Sequence, residues 1–155
     1  MDVLVREAVA DDANTIADFN SRMAKETEGR PLDPGLINPG VEAVLADPEK
    51  GRYWLAEADG VVAGQIMVTY EWSDWRNGML WWIQSVYIHE DYRRKGVFSS
   101  LYRHVESLAR LDKGVCGLRL YVEQANKRAQ ATYSKLGMVM PGYLVMEVDF
   151  LKNPE

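Results

Sequence analysis

The stretch Trp81–Arg110, WWIQSVYIHEDYRRKGVFSSLYRHVESLAR, decides the fold. It reads as a strand, a short basic loop holding one glycine, and an amphipathic helix. Trp81 to Ile88 is rich in aromatic and β-branched residues, which suit a pleated, half-buried surface. Val97, Leu101, Val105 and Leu108 recur at helical spacing, so the helix has one apolar face. Gly96 sits where the loop must turn into that helix. The first-turn N–H groups of a helix have no intrahelical partner and carry partial positive charge, so a basic loop opening a helix is an anion site. Arg93, Arg94 and Lys95 add full charges, and glycine lets the backbone approach the anion closely. The expected ligand carries phosphate.

Working outward, the chain has 155 residues, 47% hydrophobic and 26% charged, which fits one globular domain, residues 1–155, with a real core. A net charge of −5 argues against general nucleic-acid binding, yet leaves room for a local basic site such as Arg93–Lys95. Cys116 is the single cysteine, so no internal disulfide forms; this fits a reducing cytoplasm, and the residue reads as a small buried apolar group. The two histidines are isolated and make no metal site. No leader and no membrane-spanning apolar run is expected.

Taken in order, Asp2–Ala8 is a short strand. Asp11 or Asp12 caps a helix whose buried stripe is Ile16, Phe19 and Met23, ending near Gly29. Arg30–Gly40, with three prolines and two glycines, is expected to be a loop, followed by a short helix over Val41–Asp47. Arg52–Ala58 and Val61–Trp72 form a hairpin about Asp59-Gly60, because both turn residues tolerate positive φ. The organising strand follows antiparallel to its neighbour. After the basic loop and its helix come a strand at Leu118–Val122, a helix, and a last strand at Tyr143–Phe150 after Pro141-Gly142. This order is an α+β arrangement, with helices on both faces of a mixed, mostly antiparallel sheet.

Two segments carry a family resemblance. Arg93-Arg94-Lys95-Gly96 after a hydrophobic strand resembles the acetyl-CoA pyrophosphate loop of the GNAT superfamily of N-acyltransferases, Gln/Arg-x-x-Gly-x-Gly/Ala. Arg93 and Gly96 match; Phe98 stands where a small residue is usual, and it either points away from the ligand or crowds it. Leu118–Gly137, LRLYVEQANKRAQATYSKLG, resembles the family's next strand and helix. In that helix Asn126, Ala129, Tyr133 and Gly137 fall at the family's positions. Asn126 suits an N-cap and Gly137 a left-handed C′ residue.

The resemblance implies a GNAT-type fold in which the organising strand and the Leu118 strand run parallel and splay, admitting the pantetheine of acetyl-CoA. It implies that backbone groups of Val86, Tyr87 and Ile88 pair with the pantetheine amides as an added half-strand. Arg93, Arg94, Lys95, Gly96, Val97, Phe98 and Ser99 would hold the pyrophosphate, with Asn126, Ala129 and Tyr133 also touching the cofactor. Tyr133 is the candidate donor to the leaving sulfur. The activity implied is transfer of acetyl to a primary amine, on a small molecule or a protein, by direct transfer in a ternary complex. Some relatives place a glutamate base on the organising strand; the nearest position here holds Trp82. Glu71, Glu123, or a water held by Gln84 or Ser85 would replace it. Glu26, Glu28, Trp72, Gln84 and Glu123 are candidate acceptor contacts. The tryptophans around the hairpin at 72–82 divide between core, pocket wall and homodimer contact. The rival reading is a non-catalytic module of the same fold that binds CoA or a protein partner.

Overall fold

The computed structural model describes residues 1–151. The chain forms two compact units, one of residues 1–120 and one beginning at Tyr121. In the first, β1 (Val3–Glu7) leads to α1 (Ala13–Glu28) and α2 (Pro34–Ala46). Then follow β2 (Arg52–Ala58), β3 (Val61–Ser73), β4 (Gly78–Ile88), α3 (Val97–Leu111) and β5 (Val115–Arg119). The sheet has the order β1-β2-β3-β4-β5, antiparallel except for the parallel β4–β5 pair. The expected mixed α+β sheet is therefore present.

Alternation along β2 sends neighbouring side chains to opposite faces. Tyr53 and Leu55 pack with Ile16, Ala17 and Val41 of α1 and α2. Trp54, between them, faces the other way, stacked on Trp81 at 6.2 Å and edge-on to His104 of α3 at 6.4 Å. One face thus carries α1 and α2, and the other carries α3. The hairpin turn is as expected, with φ of 53° at Asp59 and 79° at Gly60.

Three expectations for this unit need correction. The Pro/Gly segment is helical from Pro34, not a loop to Gly40. Asp33 caps it, accepting from the Gly35 N–H at 2.8 Å, and Pro34 sits at the first helical position, where its missing N–H costs nothing. The fifth strand runs Val115–Arg119, not Leu118–Val122. Gly117 looks like a breaker in sequence, but a Cβ there would come within 3.1 Å of a Leu80 methyl, so close approach of β4 explains it. Cys116 is exposed rather than buried.

The second unit holds α4 (Lys127–Lys135). Asn126 caps it through the Ala129 N–H at 3.1 Å, and Gly137 follows at φ 94°, both as expected. Tyr143–Phe150 is not a strand. Its alternation has the right period, but a strand exists only where a neighbour supplies the ladder, and no ladder partner is present among the described residues.

Arg6 ties the start of the chain together. Its guanidinium donates to both Asp12 carboxylate oxygens at 2.8 and 2.9 Å and to Glu57 at 2.8 Å. Arg6 holds the Asp12 carboxyl below the usual carboxylate range. A lowered folded pKa adds stability above the unfolded value of ~3.9, and that stability is lost as pH falls through the folded pKa. Asp12→Asn is therefore expected to cost about 1–3 kcal/mol at pH 7 and progressively less as pH falls through the lowered folded pKa. Denaturant melts at neutral and at acid pH check this; an equal cost at both would remove the ion pair as the cause.

Candidate active site

The basic loop folds as its composition requires. Glu90–Tyr92 makes a single 3-10 turn, with His89 Nδ1 accepting the Asp91 N–H at 3.1 Å. Arg94 (φ 62°) and Gly96 (φ 82°) are left-handed. Left-handed residues set among ordinary ones turn successive N–H groups to one side, the geometry of an anion nest. A Cβ at Gly96 would meet nothing within 4 Å, so its conformation, not its space, calls for glycine. No side chain caps α3, and its first intrahelical bond is Ser100 N–H to the Gly96 carbonyl at 3.1 Å. The N–H groups of Val97, Phe98 and Ser99 precede that bond. These residues, with Ile88, Tyr92, Arg93, Arg94 and Gly96, line a concavity of about 210 Å³. Phe98 is half-buried, lines the concavity, and meets the Tyr102 ring at 6.0 Å.

The three cations differ. Arg93 donates to the Ile88 carbonyl at 2.9 Å and to Glu26 of α1 at 2.8 Å, and lies over the Tyr87 ring. The Tyr87 hydroxyl donates to the other Glu26 oxygen at 3.0 Å. Burial and this carboxylate together push the Tyr87 hydroxyl pKa up. Arg93 thus fastens the loop to α1, and Glu26, read as an acceptor contact, is the other half of that clasp. Lys95 donates to the Asp91 carbonyl at 3.1 Å. Arg94 is exposed and makes no ion pair among the described residues. Gly64 supports the floor beneath, because a Cβ there would strike an Ile88 methyl at 2.7 Å and Val97 at 3.2 Å.

Pairing of β5 with β4 stops at Trp82. The length of β4 from Ile83 to Ile88, with Val86, Tyr87 and Ile88, has no β5 partner on that side. The β3–β4 register also slips there: Gln65 faces Tyr87 and Met67 faces Gln84, so Ile66 alone opposes Ser85 and Val86. Ser85 at the bulge is left-handed, φ 51°. An open strand edge thus leads directly into the amide-lined start of α3.

On the α1 face of the same strands, Glu71 Oε1 accepts from Trp82 Nε1 at 2.8 Å and from Arg119 at 3.0 Å. Trp82, then Arg119, hold the Glu71 carboxyl below its ordinary range, so it is a poor proton acceptor and a good fixed negative charge. Gln84 donates to Thr69 Oγ1 at 2.6 Å. Trp81 is core, whereas Trp72 is 58% and Trp75 90% exposed. Glu28 is exposed and pairs with Arg30 at 3.3 Å.

In the second unit, Glu123 accepts from the Ala125 N–H at 3.0 Å and so shapes the turn into α4. Tyr133 is half-buried, and desolvation pushes its hydroxyl pKa above 10, so it is protonated at neutral pH. Sequence reading missed Gln65, Asn20 and Arg119. The signals available were an amide inside the apolar run 61–68 and another on the apolar stripe of α1. Among the described residues no group of acidic, His or Cys side chains could hold a metal, and no helix is long and apolar enough to cross a membrane.

The acetyltransferase (GNAT) family model matches residues 17–138, across both units, and the chain belongs to that family. A crystal structure of a possible acetyltransferase from Clostridium difficile 630 is 47% identical, with a TM-score of 0.89 over 95% of this chain and 97% of that one. Thialysine N-epsilon-acetyltransferase of Bos taurus is 36% identical over 76 residues; the match spans 49% of this chain and only 44% of that protein. An integron cassette protein from a salt-marsh metagenome shares the fold at 22% identity, with a TM-score of 0.82 over 97% of this chain and 91% of that one.

Proposed function

We propose that the whole chain is one acetyl-CoA-dependent N-acetyltransferase domain acting on a primary amine. The observation that carries this is the open Ile83–Ile88 edge of β4 running into the uncapped, amide-lined start of α3. An extended amide-bearing chain can add to such an edge as a half-strand, and a pyrophosphate suits such a helix start. Acetyl-CoA would supply an activated acetyl thioester. Val86, Tyr87 and Ile88 would hold its amide-bearing arm. Arg94, Gly96, Val97, Phe98 and Ser99 would hold its phosphates, with Lys95 near, Arg93 fixing the loop, and Asn126 and Ala129 at the start of α4.

In the reaction the amine nitrogen forms a bond to the thioester carbon, the carbon–sulfur bond breaks, and the products are an amide and a thiol. Tyr133 would donate the proton that the leaving sulfur takes up and regain one through water from the nitrogen, which sheds a proton on becoming an amide. An alkylammonium of pKa about 10.4 must first lose a proton, which costs roughly 4–5 kcal/mol at pH 7. Glu71, anchored by Trp82 and Arg119, would act there as a fixed charge attracting the ammonium. A water held by Gln84 or Ser85 would carry the proton to solvent. Glu28, Trp72, Gln84 and Glu123 would contact the acceptor, and thialysine is the first acceptor to try because a partial relative is named for it.

Calorimetric titration with acetyl-CoA, with dephospho-CoA and ATP as controls, tests the reading. Saturable micromolar-range binding of acetyl-CoA, followed by thiol release on adding amines, is expected. No binding at about millimolar acetyl-CoA would leave a GNAT fold without its cosubstrate and end the enzyme reading.

A further inference from the structure

Gln65 is fully buried in the middle of β3, on the face that carries α1. Its Nε2 donates to the Ser85 carbonyl at 3.0 Å and to Asn20 Oδ1 at 3.3 Å. Asn20, also buried, donates in turn to the Tyr53 hydroxyl at 3.2 Å. A chain of amides and a phenol therefore runs from β2 through α1 and β3 to the bulge on β4. Its last acceptor is the carbonyl of Ser85, a non-glycine residue held at φ 51°. That conformation is unfavourable for serine and persists only where the surroundings impose it.

The other end of the carboxamide is telling. Gln65 Oε1 is buried and has no donor among the described residues. A buried acceptor without a donor costs stability, so the carboxamide is not here for its oxygen. Glutamine at this position is explained by what its Nε2 holds.

We propose that Gln65 is a positioning residue: it fixes the left-handed Ser85 and thereby sets the backbone of Ser85 and Val86 against the acyl-pantetheine arm of the cosubstrate. This deepens the N-acetyltransferase reading and rests on it. Gln65 touches no reacting atom. It acts through the bulge, whose slip in register places two β4 residues opposite Ile66. The phosphate loop, built from Arg94 to Ser99, does not depend on it.

The test compares wild type, Gln65→Met, and Gln65→Met with Ser85→Gly, using acetyl-CoA and 3′-phosphoadenosine 5′-diphosphate, which keeps the phosphates and lacks the pantetheine. Methionine matches glutamine in size and cannot donate. Expected are a folded Gln65→Met with a Tm lowered by a few degrees, because the Ser85 carbonyl and Asn20 Oδ1 lose their donor, acetyl-CoA affinity at least tenfold weaker, and diphosphate affinity within twofold. Glycine adopts positive φ freely, so adding Ser85→Gly should recover most of the lost affinity. Should Gln65→Met fail to fold, Asn20→Ala, which frees the other hydrogen of the same amide, should give the same pattern at smaller size. Equal weakening of both ligands, unchanged acetyl-CoA affinity, or no recovery with glycine would each overturn the proposal. Failure of wild type to bind acetyl-CoA is separately visible and would overturn the functional reading itself.

Discussion

Tyr133→Phe is expected to lower the rate of the proposed acetyl transfer about a hundredfold and to leave acetyl-CoA affinity within a few-fold. General acid help of this kind is worth roughly 10²–10⁴ in rate, and phenylalanine keeps the ring while removing the hydroxyl. The position can act this way because Tyr133 is half-buried on α4 and its pKa is pushed above 10 by desolvation. A proton donor must be protonated to work. A raised pKa therefore moves the alkaline limb of its contribution above pH 10 and leaves it fully protonated through neutrality. Steady-state kinetics with thialysine as trial acceptor, beside calorimetry with acetyl-CoA, measure the two quantities separately. Unchanged turnover removes Tyr133 from the chemistry. A parallel loss of affinity makes it a binding residue instead.

Trp54→Ala is expected to destabilise the protein by about 3–5 kcal/mol, a large share of the roughly 5–15 kcal/mol that holds such a domain folded. Trp54 is 1% exposed. It stacks on Trp81, meets His104 of α3 edge-on, and lies under the Arg52 guanidinium at 4.7 Å. Removing the indole opens a cavity between the sheet and α3, and backbone hydrogen bonding keeps β2 from closing over it. The same change at Trp75, 90% exposed, should move stability by less than about 0.5 kcal/mol. Urea midpoints of the two variants check the pair. Similar losses at both would mean that Trp54 is not the core anchor its packing implies.

These contrasts show which features are local. The Trp81–Arg110 stretch could be read because a strand of aromatic and β-branched residues, a left-handed glycine and an apolar helical stripe are each set within a few residues. The Asp59-Gly60 turn and the Asn126 cap were legible for the same reason. Pro34 misled because a proline that opens a helix and one that ends it look alike until Asp33 is seen as the cap.

The candidate site divides along the same line. The loop Arg93–Ser99 was visible as a basic segment before a helix. That Arg93 is engaged by Glu26, 67 positions earlier in the chain, was not, because no local pattern sets such a contact. Glu71 was named as a base from its residue type. Its pKa depends on Trp82 and Arg119, which the β3–β4–β5 register brings beside it.

By itself the sequence determined the order of the elements from β1 to α4, the turn glycines and the basic loop before α3, since these follow from dihedral preference, side-chain period and local charge. Only the tertiary structure decided that Arg93 pairs with Glu26, where β5 leaves β4, and that Gln65 reaches the carbonyl of Ser85. Those are matters of strand register and long-range packing. A shift of one residue in register reverses every side chain on a strand, and no stretch of sequence carries that information alone.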